Sequence, residues 1–275
     1  MRIILFLFLA GSLVSMPAAV KSKTDSKTTK AKAAAPAAAT KTNPAATTSN
    51  AGVSVDQVLN NYIQAIGGRN QLLAVKTRIM KGSLSAPILG NDIPWELRAK
   101  APSKRLTTMN IPSMGPTQEG FNGVSGWTCS SFAGLSEKTG DELENTKREV
   151  DFYREINLKQ LYSKWALAGR QKLENNETYV LEAIPTKGAT EKLYFDTQSF
   201  LLIRRDVEIQ SSEGKVQAAM YFEDYRVVDG IKLPFIMRMT SPEMAKFTLK
   251  IAQISHNLNL DDSQFEKPQV AKTAK

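Results

Sequence analysis

Strict alternation of apolar and polar residues in short segments is the feature that most limits what this chain can fold into. In Trp95-Glu96-Leu97-Arg98-Ala99 and again in Phe247-Thr248-Leu249-Lys250-Ile251, every second side chain is apolar, the period of a strand with one covered face. Two longer stripes follow the same period: Val216, Ala218, Met220 and Phe222 on one strand, and Leu233, Phe235, Met237 and Met239 on the next. Tight-turn chemistry joins neighbouring strands. Asn122-Gly123 follows Phe121, Asn175-Asn176 separates Leu173 from Tyr179, and Asp229-Gly230 separates Val228 from Ile231; such pairs suit turns that need positive φ. Sequential strands are therefore predicted to pair antiparallel.

Helices interrupt this series rather than alternate with it. Ser54 and Gln57 have capping-box spacing, and Val55, Val58, Leu59, Tyr62, Ile63 and Ile66 recur on one helical face until Gly67-Gly68 stops it. Between Thr139 and Trp165 the pattern turns helical again. Thr139 and Glu142 have the spacing of a second capping box, Asp141, Glu142 and Glu144 crowd the first turn, and Lys147 and Arg148 come later, as a helix dipole prefers. A further short helix is predicted from Leu158 to Lys164. Strand runs with segregated helices predict an α+β fold with an antiparallel sheet, not a doubly wound parallel one.

The N-terminus points to export. Met1-Arg2 is followed by an apolar run from Ile3 to Val14 and by small residues through Ala18-Ala19, the layout of a cleavable signal peptide over residues 1–20. The run is shorter than the roughly 20 residues that span a bilayer. Counting through Val20 brings it near the lower limit of about 17, so an uncleaved N-terminal anchor is the alternative. No cysteine stands at the cleavage point, which excludes lipid modification of a mature N-terminal Cys. Residues 21–51 contain Lys, Ala, Thr, Pro, Ser and Asn with almost nothing apolar and large, and predict a disordered linker. Residues 52–270 then form a single β-rich domain.

The formal charge of +9 suggests a polyanion reader until it is placed along the chain. Six units lie within the first 50 residues, leaving +3 for the rest. A nucleic-acid reader concentrates Lys and Arg on its folded module, so nucleic acid is excluded as a partner. The linker offers at most a peripheral contact with an anionic membrane or cell-wall polymer.

Reactive groups are scarce. The chain has one His, His256, and one Cys, Cys129, too few for a zinc cage, and Cys129 beside Trp127 reads as a small apolar residue. Gly123-Val124-Ser125-Gly126-Trp127 lacks the spacing of a nucleophile elbow. Neither a calcium loop nor a phosphate-cradling glycine loop is present. Glu223-Asp224 beside Arg226 reads as surface ion pairing, and Asp261-Asp262 as a solvated turn. These observations predict no enzyme, no metal and no cofactor. What the sequence offers instead is large apolar side chains on the sheet. Either the helices cover them as an ordinary core, or a curved sheet leaves part of the face open as a pocket suited to apolar ligands. Trp95, Leu97, Phe121, Met220, Phe222, Phe235, Met237, Phe247 and Leu249 would line that pocket.

The C-terminal half carries Tyr194-Phe195-Asp196, Leu201-Leu202-Ile203-Arg204-Arg205, and Phe222-Glu223-Asp224-Tyr225-Arg226-Val227-Val228-Asp229-Gly230-Ile231-Lys232-Leu233-Pro234-Phe235. Together with Ala65-Ile66-Gly67-Gly68, Phe121 to Trp127 and Phe265-Glu266-Lys267-Pro268, this order resembles the LolA-like outer membrane lipoprotein-sorting proteins of bacteria over residues 53 to 268. The resemblance implies a curved antiparallel half-barrel, as in LolA and LolB, capped by two or three helices. It also implies a periplasmic location and an apolar cavity for a lipid or lipoprotein acyl chain, held without catalysis. The long Lys/Ala linker departs from the carriers proper. The alternative is an envelope scaffold with a filled core that binds another envelope protein.

Overall fold

The computed structural model describes residues 52–112, 115–211, 214–242 and 246–269. The predicted signal peptide and the linker through residue 51 lie outside the described residues, as does residue 270. Helices α1 (Val55–Ala65) and α2 (Gly68–Ala74) precede six strands: β1 (Thr77–Ser85), β2 (Ile93–Lys100), β3 (Lys104–Ile111), β4 (Gly115–Phe121), β5 (Gly126–Ser130) and β6 (Gly134–Glu137). Helices α3 (Gly140–Glu149) and α4 (Arg154–Leu161) lead to seven more: β7 (Lys164–Leu173), β8 (Asn176–Ile184), β9 (Glu191–Asp196), β10 (Leu202–Ser211), β11 (Gly214–Val228), β12 (Ile231–Thr240) and β13 (Phe247–His256).

All of these strands join one curved antiparallel sheet in the order β6-β5-β4-β3-β2-β1-β13-β12-β11-β10-β9-β8-β7. Two meanders meet where β1 pairs with β13, and α3 and α4 carry the chain from the β6 edge to the β7 edge. The fold is α+β, as the strand runs and segregated helices predict. Among the described residues it has four α-helices where two or three helices were expected, because Gly67-Gly68 ends one helix and begins another: Gly67 stops α1 at φ +126°, and Gly68 is the first residue of α2.

Local signals explain much of this. In α1 the capping box is complete, with Ser54 Oγ accepting from the Gln57 amide at 3.2 Å and Gln57 Oε1 accepting from the Ser54 amide at 2.8 Å. Gly67 is required by its neighbour, since a Cβ there would stand 2.4 Å from the Gly230 carbonyl oxygen. The same contact docks the end of α1 on the β11–β12 turn, where the Lys232 amide donates to the Ile66 carbonyl at 2.9 Å. That turn is Asp229-Gly230 as predicted, both with positive φ.

Three expectations are corrected. Thr139 precedes α3 but its side chain makes no capping bond; Gly140 enters the helix at φ +55°, outside the geometry of a capping box. The second helix is Arg154–Leu161 rather than Leu158 to Lys164, because Ser163 is already drawn to the β7–β8 edge, its amide donating to the Ile184 carbonyl at 2.9 Å. The β7–β8 turn places positive φ on Glu174, one residue before the predicted Asn pair, because Asn176 opens β8 and pairs with Leu173.

The sheet has an inner face, covered by the helices, and an outer face. Most of the core lies on the inner one, where Val58, Leu59, Tyr62 and Ile63 of α1 and Ile156 and Leu158 of α4 meet strand residues such as Leu181, Leu193 and Phe195. Tyr62 meets Phe195 edge-on at 5.2 Å between ring centroids. A second, smaller cluster of Leu106, Trp127, Leu260 and Phe265 pins the C-terminal segment to β3 and β5.

Candidate functional site: the inner face of the sheet

Strand register sets the apolar part of the inner face in rows. One row runs Ile93, Leu84, Leu249, Met237 and Phe222 across β2, β1, β13, β12 and β11. The next, toward the β12–β13 connection, runs Phe247, Met239 and Met220. On the other side Ile251, Gly82, Trp95 and Met109 lie abreast. The two methionine-bearing stripes read from the sequence therefore face each other across the β11–β12 pair.

Eight of the nine candidate ligand-binding residues come together in this patch: Trp95, Leu97, Met220, Phe235, Phe247 and Leu249 as buried members of the main core cluster, with Phe222 and Met237 packed against it. Phe121 stands apart. It is buried on β4 between Arg105 of β3 and Gly126 of β5. Phe222 and Met237, direct cross-strand partners, are only half-buried, and they mark the least covered part of the patch.

Beyond β2 the same face changes character. The row Met80, Leu97, Thr107, Glu119, Thr128 turns polar at β3, and Gly82, Trp95, Met109, Thr117, Ser130 turns polar at β4. Thr107, Thr117, Glu119, Thr128 and Ser130 are all buried, as are Arg105 and Lys138 at the end of this region. The cover here is α3, whose own buried residue is Thr146. Lys138 Nζ donates to Glu119 Oε1 at 2.6 Å and to Thr146 Oγ1 at 3.3 Å, and Arg105 lies 3.9 Å from Glu119. Burial raises the pKa of Glu142, on the same helix, against the opposing pull of Lys138.

A second charged group sits where β9 and β10 meet the ends of α3 and α4. Arg205 interrupts the row between Met220 and Leu193. Its Nε donates to Glu191 at 2.7 Å, and its terminal nitrogens form a fork on Glu149. Glu191 also accepts from the Tyr162 hydroxyl at 2.7 Å, which itself accepts from Arg154 at 2.8 Å. Burial works to raise the Glu149 pKa, but Arg205 and Arg154 hold it down to about 2. Burial pushes the Tyr162 hydroxyl up to about 12. Removing one partner from such a buried pair leaves an uncompensated charge, at a cost of about 3–5 kcal/mol.

None of these charged residues was anticipated as part of the site. The signal was an inverted alternation: on β5, apolar Trp127 and Cys129 take the outer positions while Thr128 and Ser130 point inward. Cys129 packs half-buried against the outer cluster. His256 is remote from it in the contacts it makes: its Nδ1 faces Asp229 at 2.9 Å and its Nε2 accepts from Arg78 Nε at 3.1 Å. Asp224 pairs with Arg226 and Glu223 with Arg238, the surface pairing expected. Asp262 does more than line a turn, bridging Lys100 and Lys104 at 2.7 Å each. Among the described residues no group of three or more His, Cys, Asp or Glu could hold a metal ion, and no helix is long and apolar enough to cross a membrane.

A family model described as "Uncharacterized protein" matches residues 145–272. No curated protein matches in sequence. Among solved structures, a LolA superfamily protein from Nitrosomonas europaea is 14% identical, with a TM-score of 0.53 over 78% of this chain and 99% of its own. A DUF1329 family protein from Desulfovibrio piger is also 14% identical, with a TM-score of 0.54 over 77% of this chain and 97% of its own. The chain has a LolA-like fold.

Proposed function

We propose that this protein is a non-catalytic binding or carrier protein of the bacterial envelope whose ligand is apolar, a lipid or the acyl chain of a lipoprotein. The observation that carries this reading is the apolar patch on the inner face, continuous across five strands, whose members Phe222 and Met237 remain half-buried. An acyl chain laid over them would gain about 0.8 kcal/mol for each CH₂ it buries. Met220, Met237 and Met239 suit such a ligand, because unbranched thioether side chains repack readily. A LolA-like fold agrees with this use of the inner face. The signal peptide of residues 1–20 would deliver the protein to the periplasm, and the linker of residues 21–51 would act as a tether.

Native mass spectrometry of the full-length protein purified from an envelope fraction, followed by lipid extraction, tests the reading. A co-purifying acyl species is expected, lost in a Phe222→Lys, Met237→Lys double variant that keeps the wild-type melting profile. Absence of any bound species, together with failure to take up a fluorescent acyl probe, would overturn it. A second reading, an envelope scaffold with a filled core, is favoured by the near-complete burial of Trp95, Phe235, Phe247 and Leu249. It predicts envelope localisation and partner recovery that depend on residues 21–50, with no lipid bound.

A further inference from the structure

The inner face is divided in a way that a receptor for plain hydrocarbon would not need. On β1, β2, β12 and β13 it presents Leu84, Ile93, Trp95, Leu97, Met237 and Leu249; on β3, β4 and β5 it presents Thr107, Thr117, Glu119, Thr128 and Ser130, set among Met109, Ile111 and Phe121. Both parts are withdrawn from water: Thr107, Thr117 and Glu119 are 3%, 2% and 4% exposed. Buried hydroxyls and charges are costly unless bonded, so a polar half this size needs a reason.

Trp95 stands at the boundary. Across the register its neighbours are Gly82 on the apolar side and Met109 on the other, with Thr117 next beyond Met109. The residue is 2% exposed, and its indole Nε1 is buried with no hydrogen-bond acceptor. A buried donor without a partner is rare in folded proteins, and leaving it unmade costs the full desolvation of the group. An alkyl chain resting against the ring would leave that cost in place, whereas an acceptor at this point would remove it.

We infer, building on the carrier reading above, that the ligand is an acyl amphiphile whose ester or amide carbonyl accepts from Trp95 Nε1. Its chain lies along the apolar half, and its head group along the hydroxyl-lined half beneath α3. The electrostatics narrow the head group. Lys138 is bonded to Glu119 and Thr146, and Arg105 is ion-paired with Glu119 and donates to the Glu149 carbonyl at 3.2 Å. The cations are thus engaged within the protein, and the uncharged polar groups of this half are the hydroxyls of Thr107, Thr117, Thr128 and Ser130. An uncharged, hydroxyl-bearing head such as glycerol or a sugar fits this surface better than a free carboxylate, which would stand against Glu119 and Glu149.

The test uses the intact protein and three probes of equal chain length competed against a fluorescent acyl reporter: monolauroylglycerol, its ether-linked counterpart dodecylglycerol, and dodecane. The two glycerolipids differ in the carbonyl alone. Wild type should bind the ester about tenfold tighter than the ether, equivalent to about 1.4 kcal/mol. Trp95→Phe, which keeps an aromatic ring but removes the donor, should bind the ester and the ether equally. Equal binding of ester and ether by wild type overturns the inference without recourse to a variant, and so does a Trp95→Phe protein that keeps the preference. Dodecane bound as tightly as the ester would overturn the inference while leaving the carrier reading intact. Failure of all three probes to displace the reporter, or of the reporter to bind, would overturn the carrier reading itself.

Discussion

The buried ion group around Arg205 makes the sharpest demand on the reasoning above, because its strength follows from two separate arguments. Arg205, Glu149 and Glu191 have side chains 7%, 6% and 9% exposed, and replacing Arg205 by Met would fill similar volume but strand two carboxylates. Loss of one partner from a buried pair costs about 3–5 kcal/mol. The pH argument arrives at a similar size. Glu149 titrates near 2 in the folded protein against 4.5 as a free side chain, a difference worth about 3 kcal/mol. Its folded pKa is depressed, so this stabilisation is complete above about 4.5 and is lost as the pH falls toward 2. For a domain of this size about 3 kcal/mol corresponds to a fall in Tm of roughly 6–12 °C. Calorimetric melts of wild type and Arg205→Met at neutral pH should show that fall. Repeated down to pH 2, they should show a weaker acid dependence in the variant, in which Arg205 no longer helps Arg154 to hold Glu149 down. A variant melting within about 2 °C of wild type, with the same acid profile, would refute the claim that these charges depend on one another.

Other substitutions probe single contacts. Gly120→Ala would place a Cβ 2.3 Å from the Trp127 ring, and overpacking of this kind costs about 1–3 kcal/mol; urea unfolding should show a lower midpoint and altered Trp fluorescence. Ser54→Ala removes one half of the α1 capping box and should cost about 1 kcal/mol, readable in the same unfolding assay. The folded pKa of His256 is lowered, first by burial and then by Arg78. The neutral ring is therefore the form the fold favours, and stability should be complete above the ordinary His value of 6.5 and decline as the pH falls below it. His256→Gln should lack that step in a series of melts between pH 8 and pH 5.

Much of the architecture was legible because it is written in local chemistry. The capping box of Ser54 and Gln57, the Asp229-Gly230 turn and the period of the stripes on β11 and β12 each depend on residues close in sequence, and each forms as read. Where reading failed, residue spacing had hidden either a local backbone conformation, as at Gly140, or a distant partner, as at Ser163. Thr139 and Glu142 satisfy the spacing of a capping box, yet α3 opens through Gly140 without one. The predicted end of α4 at Lys164 ignored the β8 edge, which takes Ser163 from the helix.

The apolar half of the candidate site was visible for the same reason, and the polar half was not. In sequence, Thr107, Glu119 and Thr128 look like the solvent side of half-covered strands, because polar residues at period 2 ordinarily face water. Two features of the assembled fold reverse that meaning. The C-terminal segment brings Leu260 and Phe265 to the outer face over Leu106 and Trp127, which gives Leu106 of β3 and the apolar positions of β5 an outer partner. Helix α3 then covers the inner side, with Thr146 and Glu142 facing Lys138. Residues 105, 119, 138, 149, 154, 191 and 205 are spread over about a hundred positions and become a group only when α3 and α4 cross from one edge of the sheet to the other. It is this crossing that sets a hydroxyl-lined surface beside an apolar one, with the unpaired indole of Trp95 on the line between them.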